Sequence, residues 1–372
     1  MNPLSSKAID WVRFPLVMLV LIMHCHPENY TYCIPVLDFP GHSFGEMLYG
    51  FVVYAITWFG FATVPVFFLI SGYLFFIGSG EQWSWDYYRA KLKRRIRTLL
   101  TPFILFNLIA VISAFICGAP SWRNQDMIPI LGYFWNSTTF CVNMHNWYGL
   151  DMQLYYPEII ALWYVRDLIF MCIISPVVWY FIKKHPKATL SILTLIYLSG
   201  LWIGANGYNS QAIMFFSLGA SFSIHGKDLV QWSYRHLWKF LPATLMLWLI
   251  VTIWNSFTDA QQFNHALYYT GSFAVLGLAA LWTEKSGKTV MPLFPNSSFF
   301  IFALHMCPIG SFCALAFFPQ SLINIIGTPD NFWNATITFI LGPWLVAAFC
   351  MAIYVVLKKI CPTLLSLFTG GR

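Results

Sequence analysis

Charge is scarce in this sequence. Asp, Glu, Lys and Arg together make up 9% of its 372 residues, where a soluble domain carries roughly 25%. So few charges do not solvate a globular surface of this size, which excludes an ordinary soluble enzyme and a soluble core on one anchor. The nine cysteines contain no CxxC pair or other metal-ligand spacing, and no metal site is expected. All but two lie in or beside apolar stretches, where a free thiol simply packs. Only Cys33 and Cys141 fall in expected outer loops, where a disulfide between them would suit an oxidising compartment. Internal repeats, low-complexity tracts and basic clusters on a soluble face are also missing. The net charge of +7 therefore does not point to a nucleic-acid partner.

What the chain has in quantity is apolar length. Hydrophobic residues make up 58% and aromatic residues 19%, in recurring windows matching the about 20 apolar residues that a bilayer core of roughly 30 Å requires. The windows and their polar breaks predict an all-α, polytopic bundle of about ten membrane helices in one domain over 1–372, with no appended soluble domain. The helices are expected near 7–26, 46–78, 98–117, 157–182, 187–204, 209–225, 236–254, 265–284, 296–318 and 331–358. The second window is too long for one straight span, and Pro65 offers a kink within it. The first resembles a signal peptide but lacks a small-residue cleavage site, and reads as a retained helix.

Basic residues fix the orientation. With the N-terminus inside, 18 of the 21 Lys and Arg fall in inner segments, from Lys7 and the run Arg89 to Arg97 through Lys358, Lys359 and Arg372. Such asymmetry favours an even helix count with both termini in the cytoplasm. The longest polar stretches are then outer loops at 27–45 and 118–156. The second carries Trp122, Trp135, Trp147, Tyr148, Tyr155 and Tyr156, which suits sugar stacking and equally an aromatic membrane interface.

Ionisable groups inside spans are costly, and each is a functional candidate. They are Asp10, Arg13, His24, Arg166, Asp167 and His305. Arg13 and His24 are eleven residues apart, which is three helical turns plus about 20°, so one stripe carries both, about 16 Å apart along the axis. His24 suits a general base, and equally an interfacial histidine bonded to a loop carbonyl. His305 reads as a packed core histidine or as a base deep in the chain. Arg94 and Arg97, spaced i, i+3 ahead of a helix, suit a phosphorylated ligand, although basic runs also merely set topology. Adjacent helical residues do not face each other, so Arg166 and Asp167 are expected to find partners on different helices. Ser71-Gly72-Tyr73 reads as a close helix contact through small residues.

Five segments in order resemble the acyltransferase-3 family of integral membrane O-acyltransferases, over about residues 6 to 358. Ala8 to Arg13 through His24 looks like the family's arginine, ten-residue gap and histidine. Val64 to Tyr73 looks like its phenylalanine-rich stretch ending in Ser-Gly, and Arg94-Arg-Ile-Arg97 before Pro102 its RxxR element. Leu162 to Asp167 resembles its Leu-Trp-Phe/Tyr segment, and Ser298 to His305 its late helix with histidine.

That resemblance implies an acyl-CoA donor, usually acetyl-CoA, entering from the cytoplasm, and a glycan or lipid-linked sugar acceptor on the other face. It implies His24 as general base, Arg13 as the intramembrane cation, and Arg94 and Arg97 at the donor phosphates. Arg166 and Tyr73 join the donor candidates, with Asp10, Asp167 and His305 as further site candidates. A multi-pass bacterial inner-membrane protein in contact with lipid follows. A polytopic transporter and a non-catalytic partner in polysaccharide export are the rival readings.

Overall fold

A computed structural model of the chain describes residues 1–24, 41–79, 83–116, 134–135, 137–145, 151–201, 204–205, 208–254, 261–307 and 332–371. Helices dominate it. They are α1 (Pro3–His24), α2 (Phe44–Gly60), α3 (Thr63–Phe76), α4 (Trp85–Arg95) and α5 (Thr101–Ile116), then α6 (Trp163–Ile173), α7 (Ser175–Lys184), α8 (Pro186–Ser199), α9 (Ser210–Ile224) and α10 (Leu229–Arg235). Next come α11 (Leu237–Trp254), α12 (Gln261–Ser286), α13 (Leu293–Leu304), α14 (Phe332–Ile360) and α15 (Pro362–Thr369). Two short antiparallel pairs interrupt them, β1 (Ser137–His145) with β2 (Asp151–Tyr156), and β3 (Gly204–Ala205) with β4 (Tyr208–Asn209).

The membrane class stands, with differences in detail. Among the described residues five helices are long and apolar enough to cross a bilayer, or six if a bent pair counts as one span. Others of the expected ten are too short or too charged for that test. Helices α8, α9 and α13 have 14, 15 and 12 residues, and α1 carries Lys7, Asp10 and Arg13. Beyond Cys307 the expected 296–318 helix lies outside the described residues, as do Cys33 of the expected disulfide, 27–40 of the first outer loop and 118–133, 136 and 146–150 of the second.

Three expected helices change shape. The 46–78 window breaks at Phe61-Ala62, ahead of Pro65, which sits in the first turn of α3; a helix's first turn leaves its N–H groups without intrahelical partners, so proline costs little there. The expected 157–182 helix is bent by 64° at Ile174, because Pro176 has no N–H to continue α6 and instead starts α7. The expected 98–117 helix begins at Trp85 and runs through a π-helical segment at Ile96–Leu100. Pro102 explains that wider turn: its ring would crowd the Thr98 carbonyl one α-turn back.

Helix α1 lies at the centre, packed against α2, α3, α12, α13 and α14, while α3 makes its most extensive contact with α9. That contact depends on two glycines. A Cβ added to Gly72 would lie 2.0 Å from the Phe216 carbonyl oxygen, and one on Gly219 would lie 2.0 Å from that of Leu69. The Ser71-Gly72 signal thus marks backbone-to-backbone packing, the way membrane helices associate without a hydrophobic drive between them. Fully buried Phe68, Phe75, Phe76, Phe215 and Phe216 fill the core on either side.

Candidate functional site

A cavity of about 810 Å³ opens between α1, α3, α4, the π segment, α6 and α13. Its volume lies toward the upper end of the ~300–1,000 Å³ usual for small-molecule sites. Four cations from one short stretch line it, Lys91, Arg94, Arg95 and Arg97. Arg94 and Arg97, singled out by spacing, are there; Lys91, one turn before Arg94, and Arg95, directly after it, join them. The i−3 and i+1 positions were readable from the sequence, but the π segment in which Arg97 lies was not. Lys91 also donates to the Ile77 carbonyl at 3.2 Å, which ties α4 to the end of α3.

Arg13 reaches the cavity from α1, where Asp10 pairs with it at 3.0 Å; both side chains are more than a third exposed. Val17, one turn on, lines the wall as well, and His24 lies two turns further along the same stripe. The cavity lining therefore covers the Arg13 end of the stripe and stops short of His24. His24 sits at the exposed end of α1, where its ring meets His305 of the α13 end with centroids 5.4 Å apart. The two histidines that the sequence offers as rival bases are neighbours.

His305 is only 9% exposed. Its Nδ1 lies 2.6 Å from the Phe302 carbonyl, which only accepts, so Nδ1 carries the proton and Nε2 of the neutral ring is an acceptor. That Nε2 is buried and has no hydrogen-bond partner among the described residues, a costly state in an apolar surrounding. Phe302 links this group to the cavity. Its ring lines the wall and lies 6.0 Å from both Tyr164 and His305.

Two hydroxyls face each other in the same wall, Ser71 Oγ and Tyr164 Oη at 3.1 Å. Both belong to segments that the sequence singles out, but no chemistry is assigned to them there, because a serine beside a glycine reads as packing. Only the pairing of α3 with α6 reveals them.

The other candidates lie elsewhere. Arg166 and Asp167 correct the expectation of separate partners: Arg166 Nε donates to Asp167 Oδ1 at 3.0 Å, with side chains 4% and 0% exposed. Long side chains at the start of a helix fold back on each other despite their adjacent Cα positions. Each also has distant partners, and these are backbone groups outside the long helices instead of side chains on other helices. Arg166 Nη1 donates to the carbonyls of Trp135 and Tyr155 at 3.0 and 2.8 Å, and Asp167 Oδ2 accepts from the Asn209 amide at 2.9 Å. The pair knits the β1–β2 region and the β4 turn to α6, and neither residue lines the cavity. Tyr73 is buried on the other side of α3, with Asp228 as its charged neighbour. Asp228 caps α10 and accepts from Ser5 of α1 at 2.7 Å.

Comparison with known proteins gives a family for the chain. The sequence profile of the acyltransferase-3 family, described as an acyltransferase domain, matches residues 6–357. The succinoglycan biosynthesis protein ExoH of Rhizobium meliloti (strain 1021) is 22% identical over 328 residues, covering 83% of this chain and 79% of that relative. No solved structure matches the chain significantly.

Proposed function

The chain belongs to the acyltransferase-3 family, and from that premise we propose that it takes an acyl group, acetyl in the first instance, from coenzyme A at its basic cytoplasmic rim. The acceptor is a hydroxyl of a cell-surface or lipid-linked glycan presented at the other face of a bacterial inner membrane. The relative's role in succinoglycan biosynthesis supports a polysaccharide acceptor.

One observation carries this reading: a single cavity with four cations at its inner rim leads through Ser71, Tyr164 and Phe302 toward a pair of histidines. Guanidinium groups bind phosphate oxygens in forked pairs, so Arg94 and Arg97 hold the nucleotide phosphates of the donor. Arg13, steadied by Asp10, adds a cation deeper in the wall. The pantetheine arm runs along the apolar wall past Val17 and Phe67. The Ser71 and Tyr164 hydroxyls are assigned to the thioester carbonyl, where hydrogen-bond donors stabilise the oxyanion that forms.

His24 removes the proton of the acceptor hydroxyl, the oxygen attacks the thioester carbonyl carbon, and the carbon–sulfur bond breaks. The proton held by His24 then passes to the departing thiolate, so the products are an ester and free coenzyme A. His305, fixed in one tautomer by the Phe302 carbonyl, orients the His24 ring. Replacing His24 with alanine, in protein shown to be inserted and folded, is expected to abolish transfer of labelled acetyl from acetyl-CoA. Turnover near the wild-type rate would contradict the assignment.

A further inference from the structure

The inner rim of the cavity is completed by residues beyond the family match, which ends at residue 357. Helix α15 docks on α5 and α13. Phe368 sets its ring edge on Phe106 with centroids 5.0 Å apart, and Leu365 and Thr369 are buried. The helix ends in two residues with left-handed backbone, Gly370 at φ 68° and Gly371 at φ 75°. The Gly371 amide donates to the Ser366 carbonyl at 2.8 Å, closing a Schellman turn.

Both glycines line the cavity beside Arg94, Arg95 and Arg97. Gly370 rests on the π segment: a Cβ there would lie 2.5 Å from Thr98 Cα and 2.8 Å from its carbonyl oxygen. A Cβ on Gly371 would lie 3.5 Å from Arg97 Nη2. The turn is thus seated on the backbone that carries Arg97 and against its guanidinium, at the rim lined by Lys91, Arg94, Arg95 and Arg97.

We propose that the Gly370-Gly371 turn is a positioning and specificity element of the donor site, forming one wall of the pocket for the coenzyme A phosphates and holding Arg97 toward them. This rests on the donor-site reading above. Only glycine brings the chain this close at a positive φ. A side chain at residue 370 lifts the turn off Thr98 and displaces Arg97, and a carboxylate at residue 371 occupies the guanidinium in place of phosphate.

The test uses the full chain in lipid nanodiscs. It measures kcat and KM for acetyl-CoA from thiol release, acceptor KM, and coenzyme A affinity by calorimetry, in Arg97→Ala, Gly370→Ala, Gly371→Asp and Gly287→Ala. Gly287 serves as the control, because its φ is 62° and nothing lies within 4 Å of its Cβ position. The first three variants are expected to raise the donor KM and weaken coenzyme A binding about fivefold to tenfold, with kcat and acceptor KM little changed. Gly287→Ala is expected to match wild type. Wild-type donor binding in Gly370→Ala and Gly371→Asp, with Arg97→Ala impaired, overturns the role of the turn alone. Loss of kcat without a donor KM change in the glycine variants overturns it too. Wild-type donor binding in Arg97→Ala removes the donor-site reading itself. If Gly370→Ala does not fold, Gly371→Asp decides, since its Cβ meets only ordinary contact and its positive φ adds about 1 kcal/mol of backbone strain, the same strain carried by the Gly287→Ala control.

Discussion

The rings of His24 and His305 lie with centroids 5.4 Å apart and planes inclined by 45°, one at the exposed end of the first helix and the other buried near the end of α13. With Nδ1 of His305 committed to the Phe302 carbonyl, the proposed mechanism takes the two imidazoles as one unit, with His24 as the base.

That unit predicts non-additivity. His24→Ala is expected to lower kcat by about a hundredfold to ten-thousandfold, the usual worth of a positioned general base. His305→Gln is expected to cost less, and the double variant no more than His24→Ala alone, as for residues acting together. Steady-state kinetics on all three, with insertion checked by protease protection, measure this. Multiplying losses would show two independent roles.

The hydroxyl pair in the cavity wall gives a separate expectation. Tyr164→Phe keeps the ring contacts to Phe68 and Phe302 but removes the bond to Ser71, and should lower kcat about tenfold or more while leaving the donor KM near wild type. Loss of stability should stay near ~1 kcal/mol, the net worth of one such bond. A KM effect with unchanged kcat would assign the pair to donor binding instead.

Much of this was legible in the sequence. Apolar windows and basic asymmetry gave the membrane class, because bilayer thickness and charge placement act on composition directly. Arg13, Arg94 and Arg97 were found from helical spacing and converge on one cavity. The meeting of His24 with His305, the Ser71–Tyr164 pair and the Gly370-Gly371 wall were not legible, since each joins segments far apart in the chain. Arg166 misled for a different reason. Side-chain length lets neighbours at a helix start pair directly, which a rule written for Cβ positions does not see.

The buried pair at the start of α6 ties that helix to the β1–β2 region and the β4 turn. Asp167→Asn leaves Arg166 charged and 4% exposed, and is expected to cost about 3–5 kcal/mol, as when one partner of a buried ion pair is removed. Thermal unfolding in detergent reads this, and purified variant that remains folded should keep its donor KM. A donor KM change with unaltered stability would put Arg166 in the binding site after all.

Helix contact through glycine is testable on its own. Gly72→Ala and Gly219→Ala each force a methyl to within 2.0 Å of a facing carbonyl oxygen, and should destabilise by about 3 kcal/mol or more. Gly226→Ala, with nothing within 4 Å, should cost about 1 kcal/mol from backbone strain alone. Similar unfolding temperatures for all three would argue against the close α3–α9 contact.

Sidedness tests the central claim most directly. In sealed proteoliposomes of uniform orientation, labelled acetyl-CoA is supplied only at the face bearing Lys91, Arg94 and Arg97, with the glycan acceptor only at the other, and acetyl ester and free coenzyme A are counted. Wild type is expected to form both in equal amounts across the membrane, and His24→Ala neither. Acetyl ester formed only when donor and acceptor share one face, or undiminished transfer by folded His24→Ala, would contradict acyl passage from the arginine rim to the histidine pair.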